Sequence, residues 1–190
     1  MASFKEAYDK TMKHEGGYVN DRDDAGGETY KGISRVYNPS WYGWTMIDEE
    51  KNRADFPDCL NYDNELPEAV EDFYKDKYWD VNLLDSFPQS VANEMFDTGV
   101  NMGIGRAAKF LQECLNYLNR NASLFNELVV DGDVGPATLN ALSKVTRDES
   151  ILLLMLNVCQ GRHYMKYMTK SPTQEKFARG WFKRVSFSKV

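Results

Sequence analysis

The sequence lacks the features that mark a membrane or secreted protein. None of its apolar runs reaches the length needed to span a bilayer, and the N-terminus MASFKEAYDKTMKHE has no long apolar region of the kind that a secretory signal requires. We therefore expect no membrane span. We also expect synthesis in the cytoplasm without a signal peptide.

Cysteine and histidine are also scarce. The three cysteines, Cys59, Cys114 and Cys159, are an odd number without the spacing of a metal site, which favours reduced structural thiols. The two histidines, His14 and His163, lie far apart and in different patterns, so a nucleophilic triad has little support. Neither aspartate-rich stretch has the full ligand set of a calcium loop. We predict no metal site and no cofactor.

The composition is that of an ordinary globular protein with an uneven charge. Its 190 residues are 42% apolar and 13% aromatic, enough for one substantial core or two small ones. The net charge is −6, yet residues 160–190 carry eight Lys or Arg and one acid, which leaves −13 for the rest. The basic segment could attract an anionic wall or membrane surface, or it could be a solvated helix face. The acidic body argues against nucleic-acid binding.

A glutamate lies near the end of a helix predicted at the N-terminus. Ser3 and Glu6 fit a capping box at its start, and the pair Gly16-Gly17 would end it. Glu15 would then occupy the last turn, where the negative end of the helix dipole and partial burial both raise the pKa of a carboxyl group. A carboxyl that keeps its proton near neutral pH can act as a general acid. The alternative is a surface glutamate that merely precedes a turn.

The residues after this helix carry a specific resemblance. The run GGETYKGI from Gly26 suits a tight β-hairpin. Together with EGGY from Glu15 and with Asp24, it resembles the signature of glycoside hydrolase family 108, the N-acetylmuramidases. It is also similar, more loosely, to the phage lysozymes, in which a catalytic Glu at the end of the first helix is followed nine residues on by an Asp. Asp24 follows Glu15 by nine residues, and Thr29 follows Asp24 by five, slightly closer than in the phage lysozymes.

The resemblance implies a fold and an active site. The expected fold is mostly α and lysozyme-like, with two lobes separated by a cleft and one small β-hairpin near the N-terminus. Glu15 would be the general acid at the floor of the cleft. Asp24 would stabilise positive charge on the sugar or orient the attacking water, and Thr29 would help to position that water. Tyr30, next to Thr29, is predicted to bind substrate.

Two other aspartates compete with Asp24 for the second role. Asp21 and Asp23 also lie within reach of Glu15 in the sequence. Alternate residues of an extended segment point to opposite sides, so Asp23 and Asp24 would not share a side. The phage-lysozyme spacing favours Asp24, and the same likeness favours an inverting reaction over a retaining one.

Aromatic residues are dense between Tyr37 and Trp44, in a stretch that reads as a loop. Their rings could stack on sugars, or they could simply anchor the loop to the core. A helix follows from about Pro67, with Asn64 as its expected cap.

The second half of the chain is predicted to be helical. The segment VANEMFDTGVNMG, followed by a helix containing LQECLN, resembles the central part of the phage lysozymes and of family 108, which implies that Asp97 and Asn101 bind substrate. The segment VVDGDVGPATLNAL resembles the DGxxGPxT motif of small peptidoglycan-binding modules. A long helix after Asp148 and a final helix over about 173–185 complete the chain.

These observations favour one function among several. We expect a catalytic region over 1–87 and a helical lobe over 88–190, packed as one unit in a monomer. The expected activity is hydrolysis of the β-1,4 bond between N-acetylmuramic acid and N-acetylglucosamine in bacterial peptidoglycan. The alternatives are a lytic transglycosylase, a non-catalytic peptidoglycan-binding protein, and a helical phage or secretion accessory protein. The enzyme would reach the wall through a membrane lesion, as a phage endolysin does, or through a secretion system.

Overall fold

The structure, a computed structural model, describes residues 1–12, 16–20 and 26–185. Contacts divide the chain into two compact units. Tyr8–Lys77 form one, here called the sheet unit, and Met1–Ala7 with Tyr78–Val190 form the other, here called the helical unit. The division into 1–87 and 88–190 that the sequence favours stays a prediction.

The first helix, α1, spans Phe4–Thr11. Ser3 Oγ accepts a hydrogen bond from the backbone N–H of Glu6 at 3.4 Å, which is one half of the expected capping box. The other half is wrong, because the N–H of Ser3 donates to Gln89 Oε1 at 2.6 Å. Ala7 and Thr11 are buried, so one face of the short helix is packed.

A three-stranded antiparallel sheet follows, in the order β1-β2-β3. Its strands are β1 (Tyr18–Asn20), β2 (Glu28–Tyr30) and β3 (Ile33–Ser34). The predicted hairpin is β2–β3, closed by Lys31 and Gly32, whose φ angles of 47° and 80° are both in the left-handed region. Such angles at both central residues characterise a type I′ turn, whose twist matches that of the strands it joins.

The aromatic stretch after the sheet leads into helix α2 (Gly43–Glu50), which the sequence did not predict. Trp41 and Trp44 are buried, and their ring N–H groups donate to the backbone oxygens of Ala69 and Asn38 at 3.2 and 2.9 Å. These two tryptophans therefore anchor the segment to the core. An exposed sugar-stacking role is wrong for them because their rings are covered by protein.

Helix α3 (Leu66–Tyr74) begins close to the predicted position but with a different cap. Asp63 Oδ1 accepts hydrogen bonds from the backbone N–H groups of Glu65 and Leu66 at 2.8 and 2.7 Å. The N-cap position is Glu65, and the side chain that reaches the free donors at the helix start is that of Asp63 and not the predicted Asn64.

The helical unit is built on three long helices. They are α4 (Gln89–Met102), α5 (Ile104–Leu118) and α7 (Glu149–Lys170), which pack against one another. The shorter helices are α6 (Pro136–Lys144), with proline in its first turn as predicted, and α8 (Ala178–Phe182), preceded by a 3-10 turn over Pro172–Phe177. The mostly α class with one small sheet is confirmed. Within the described residues, no helix is long and apolar enough to cross a bilayer.

The cysteines are free thiols. Cys59 and Cys114 are buried, and Cys159 is partly buried. The sulfur atoms of Cys114 and Cys159 lie 3.8 Å apart between α5 and α7. All three therefore fill space in the packing of the fold, as expected for structural thiols.

Candidate active site

The predicted acid Glu15 and the three aspartates Asp21, Asp23 and Asp24 lie outside the described residues. The structure does describe the backbone on either side of them. Gly17 O accepts a hydrogen bond from the N–H of Lys31, at 3.3 Å. On β1, Tyr18 pairs with Tyr30 and Asn20 pairs with Glu28. The backbone at Gly17, two residues after Glu15 in the sequence, is therefore hydrogen-bonded to the β2–β3 turn.

Two hydroxyl groups hold the segment that follows Asp24. Thr29 Oγ1 donates to the backbone oxygen of Gly27 at 3.2 Å, and Ser34 Oγ donates to that of Gly26 at 2.6 Å. Gly27 has a φ of +57°, which favours glycine. Thr29 is half-buried, and its predicted role in positioning water stays a prediction.

Glu28 lies at the centre of an ion network that joins the sheet to α2. Its Oε1 accepts from Tyr18 OH at 3.0 Å and is paired with Lys51 Nζ at 2.7 Å, while its Oε2 is paired with Arg35 Nη1 at 3.0 Å. Asp48 completes the network through two bonds from Arg35, at 2.7 and 2.6 Å, and one from Lys51 at 2.6 Å. Such bidentate, charge-assisted bonds fix geometry as well as contributing energy.

The network decides the protonation of Glu28. Burial by itself would raise the pKa of this carboxyl, but the hydrogen bonds from Lys51, Tyr18 and Arg35 outweigh burial and hold the pKa below its ordinary value. Glu28 is therefore ionised at neutral pH, which is the wrong state for a general acid. Its place in the sheet makes it a support for β2, the strand that carries Thr29.

Sequence reasoning missed this network. Its members Arg35, Asp48 and Lys51 come from the end of the sheet and from α2. Asp48 and Lys51 are three residues apart on one helix, a spacing that brings side chains together. That signal could be read only after α2 had been recognised.

A cavity of about 500 Å³ opens within the sheet unit, a size suited to a small ligand. Tyr30 contributes to its wall, is otherwise buried, and stacks on Trp41 with ring centroids 6.5 Å apart. Burial, and then the nearby charge of Asp63, raise the pKa of Tyr30, so its hydroxyl stays protonated. The cavity is lined by Tyr8, Asp9, Met12, Tyr30, Lys31, Pro67 and Val70. The assignment of Tyr30 to substrate binding stays a prediction.

Asp97 and Asn101 lie on α4 in the helical unit. Asp97 Oδ1 is paired with Arg184 Nη1 at 2.7 Å, and its Oδ2 accepts from Gln160 Nε2 at 2.9 Å. Asn101 is exposed and donates to the backbone oxygen of Asp97 at 2.7 Å. Asp97 thus has protein partners on both oxygens, and substrate binding by either residue stays a prediction.

A buried acid that the sequence analysis did not single out lies one turn before Asp97. Glu94 accepts from Asn157 Nδ2 at 3.1 Å and from Thr98 Oγ1 at 3.4 Å. Burial, with a smaller contribution from the charge of Asp97, raises the pKa of Glu94 to about 7. Its burial could have been predicted from the sequence, because Glu94 lies three residues after Val91 on the apolar face of α4.

Two protein families match this chain. The family described as Glycosyl hydrolase 108 matches residues 8–103, half of the chain, and the family described as Predicted Peptidoglycan domain matches residues 106–186. This chain belongs to glycoside hydrolase family 108. It is a glycosidase that acts on peptidoglycan.

A solved structure supports the same fold. The structure of Brucella abortus SagA is 24% identical to this chain, with a TM-score of 0.60, and the match covers 96% of this chain and 88% of SagA. At this identity the likeness concerns the fold, which is the mostly α, lysozyme-like one expected from the sequence. A comparison with curated proteins gave no significant match.

The family 108 region contains every residue predicted for the site, while the DGDVGPAT motif lies in the peptidoglycan domain. The side chain of Gln112, on α5, is hydrogen-bonded to the loop of this motif. Its Nε2 donates to Asp131 Oδ1 at 2.7 Å and to Asp133 O at 3.0 Å, and its Oε1 accepts from the N–H of Gly132 at 2.9 Å. The motif therefore owes its shape to a buried glutamine.

Proposed function

We propose that this chain is an N-acetylmuramidase that cleaves the β-1,4 bond between N-acetylmuramic acid and N-acetylglucosamine. Glu15 is the general acid. The observation that carries the proposal is the family 108 match, which includes the EGGY and GGETYKGI stretches. Glu28, an acid of the same motif, is held as a carboxylate by ion pairs with Lys51 and Arg35, so it has no proton to donate.

The proposed reaction needs two carboxyl groups. Glu15 donates its proton to the glycosidic oxygen as the bond from that oxygen to the anomeric carbon breaks. Asp24 takes a proton from a water molecule whose oxygen attacks the anomeric carbon, and Thr29 orients that water. This is the inverting route, which typically places the two carboxyls about 6.5 to 9.5 Å apart, whereas a retaining route places them about 5 to 5.5 Å apart.

The first test replaces the acid and keeps its shape. Glu15→Gln is expected to fold normally and to lose lytic activity by roughly 10² to 10⁴, because an amide cannot donate the proton. The measurement is the loss of turbidity of purified peptidoglycan, with folding checked by circular dichroism. Glu49→Gln is the matched control, since Glu49 is an exposed acid of the same unit. Retention of more than a few per cent of activity by pure Glu15→Gln would refute the assignment.

The products of wild-type digestion separate the alternatives. Hydrolysis leaves reducing ends, whereas a lytic transglycosylase leaves anhydro ends, and mass analysis of the released muropeptides distinguishes them. A protein that only binds the wall would release nothing. The settings expected from the sequence, phage lysis and service to a secretion system, stay predictions.

The identity of the second carboxylate can be tested separately. Asp24→Ala is expected to lose most of its activity while remaining folded, and Asp21→Ala and Asp23→Ala are expected to keep most of theirs. The same turbidity assay measures all three variants. A folded but inactive Asp21→Ala or Asp23→Ala beside a near-normal Asp24→Ala would move the role to that other aspartate.

A further inference from the structure

The helical unit carries a row of aromatic rings that the proposed chemistry does not use. His163 and Tyr167 come from the last part of α7, Phe177 from the 3-10 turn, and Trp181 from α8. Successive ring centroids in the order His163, Tyr167, Trp181, Phe177 are 6.4, 5.9 and 5.8 Å apart. We call these four residues the aromatic face.

One side of the aromatic face packs on the helical unit, and the other side is exposed to solvent. Trp181 stacks on the buried Tyr164 with ring centroids 5.1 Å apart and an interplanar angle of 14°. Phe182 of α8 packs close to Gly161 of α7, where a Cβ atom would lie 3.6 Å from the Phe182 ring. Tyr167 and Phe177, in contrast, are 44% and 45% exposed. Packing within the fold therefore accounts for Trp181 but leaves much of Tyr167 and Phe177 in solvent.

Basic groups border these rings. Lys176 Nζ lies 4.9 Å from the centroid of the Phe177 ring, a cation–π distance. Arg106 Nη1 lies 2.9 Å from the ring nitrogens of His163. Burial, and then the charges of Arg106 and Lys166, lower the pKa of His163, so its ring is neutral at neutral pH. Arg179, two residues after Phe177 in the sequence, is exposed.

The combination fits one class of ligand. The sugar rings of a peptidoglycan strand present apolar C–H faces that pair with aromatic rings, and their attached peptides carry carboxylates that pair with Arg and Lys. A protein partner would not require this excess of positive charge, whereas residues 160–190 have eight basic groups and one acid. The region matched to the Predicted Peptidoglycan domain, residues 106–186, contains every residue of this surface.

We propose that the aromatic face, with Arg106 and Lys176 at its edges and the exposed Arg179 close by in the sequence, binds the glycan strand of peptidoglycan through ring stacking and binds the carboxylates of its peptides through ion pairs. The proposal rests on the action of the chain on peptidoglycan and names where the helical unit holds that polymer. It does not depend on which residue is the general acid.

The test is co-sedimentation with purified insoluble peptidoglycan at 4 °C, using chains that carry Glu15→Gln so that the polymer is preserved. The additional double change Tyr167→Ala and Phe177→Ala is expected to weaken binding roughly tenfold or more, since stacking contacts of this kind are each worth about a kcal/mol. The control is Tyr117→Ala, because Tyr117 is an aromatic residue of the same unit that is 74% exposed. The control is expected to bind like its parent.

A second pair of variants tests the charges. Lys176→Gln with Arg179→Gln is expected to weaken binding and to reduce its dependence on salt, whereas the aromatic changes are expected to leave the salt dependence as it was. Lys144→Gln with Arg147→Gln removes the same charge from exposed positions of the same unit and is the control. An equal loss of binding in the two double variants would mean that only the total charge matters, and it would overturn the proposed surface.

Other outcomes also decide the proposal. If the double aromatic variant is unfolded by circular dichroism, the single change Phe177→Ala replaces it, because Phe177 lies at the end of the 3-10 turn and outside the α-helices. Unchanged binding by a folded aromatic variant overturns the proposal. So does a dimer in light scattering that the same variant converts to a monomer without loss of binding, since the face would then join two copies. Release of soluble fragments by Glu15→Gln would contradict the assigned acid but would leave the binding comparison intact.

Discussion

Glu94 is a buried acid whose protonation makes stability depend on pH. The folded chain holds its proton more tightly than the unfolded chain, because burial raises the pKa from an ordinary 4.5 to about 7. The stabilising contribution of this group is thus complete below about pH 4.5 and is lost as the pH rises through 7. Above that pH, a charge remains in the packed interface of α4 and α7.

Replacement of Glu94 by glutamine removes this charge. Since one pKa unit corresponds to about 1.4 kcal/mol and the pKa of Glu94 rises from 4.5 to about 7, Glu94→Gln is expected to be more stable than the wild type by about 3 kcal/mol at pH 8.5 and nearly equal to it at pH 4.5. Urea unfolding at several pH values measures the difference. The amide can still accept from Asn157, so the hydrogen bond at 3.1 Å has a replacement. A constant difference across the pH range would mean that Glu94 does not titrate as described.

At the scale of elements, the loop before α6 depends on one glycine. Gly132 has a φ of +93°, and a side chain there would lie 2.9 Å from the backbone oxygen of Gly105 and 3.0 Å from Lys109 Cε. Gly132→Ala is therefore expected to destabilise the chain by roughly 1 to 3 kcal/mol. The measurement is the urea midpoint.

A neighbouring glycine provides the control for that change. Gly135 has an extended backbone, and no atom lies within 4 Å of the position that a side chain would take. Gly135→Ala is expected to change the midpoint little. Equal destabilisation by both substitutions would show that loss of glycine, and not the close approach to Gly105, is responsible.

The elements that the sequence predicted are those with a long or chemically marked pattern. α6 begins at Pro136 as expected, and α7 could be predicted from the long apolar stretch that follows Asp148. β1 and α2 were missed, because a three-residue strand has no measurable alternation and α2 starts at Gly43 in a stretch rich in turn residues. Tertiary packing of Trp41 and Trp44, which no local pattern reports, holds α2 in place.

The site, like the fold, could be predicted only where its residues lie close together in the sequence. The motif around Glu15 could be recognised because its residues are close in the sequence. The partners of Glu28 could not, since Arg35, Asp48 and Lys51 meet it only through the fold. The side chain that bonds the start of α3 was missed by one residue, because Asp63 and Asn64 are equally plausible partners for its N–H groups until the backbone is known.

At the scale of the whole molecule, the net charge of −6 hides a basic C-terminal segment that could draw the enzyme to an anionic wall. The structure shows which of these basic side chains are exposed and could attract an anionic wall. Arg184 is only 28% exposed and is paired with Asp97, so it supports the fold of the helical unit. Lys176, Arg179 and Lys183 are exposed.

Lysis by the wild type is expected to slow as salt rises, because salt screens the attraction between exposed charges separated by more than a Debye length, which is about 8 Å at physiological ionic strength. A variant with Lys176, Arg179 and Lys183 all changed to Gln is expected to lyse more slowly at low salt and to respond less to added salt. The measurement is the initial rate of turbidity loss between low and high sodium chloride.

The control for that experiment must remove the same charge from elsewhere in the helical unit. Lys109, Lys144 and Arg147 are exposed positions outside the basic segment, and their change to Gln keeps the net charge of the two variants equal. If the segment itself draws the enzyme to the wall, this control keeps a wild-type response to salt, because its local field near α8 is unaltered. An identical response in the wild type and the C-terminal variant would instead make the basic segment a solvated surface that balances the acidic body.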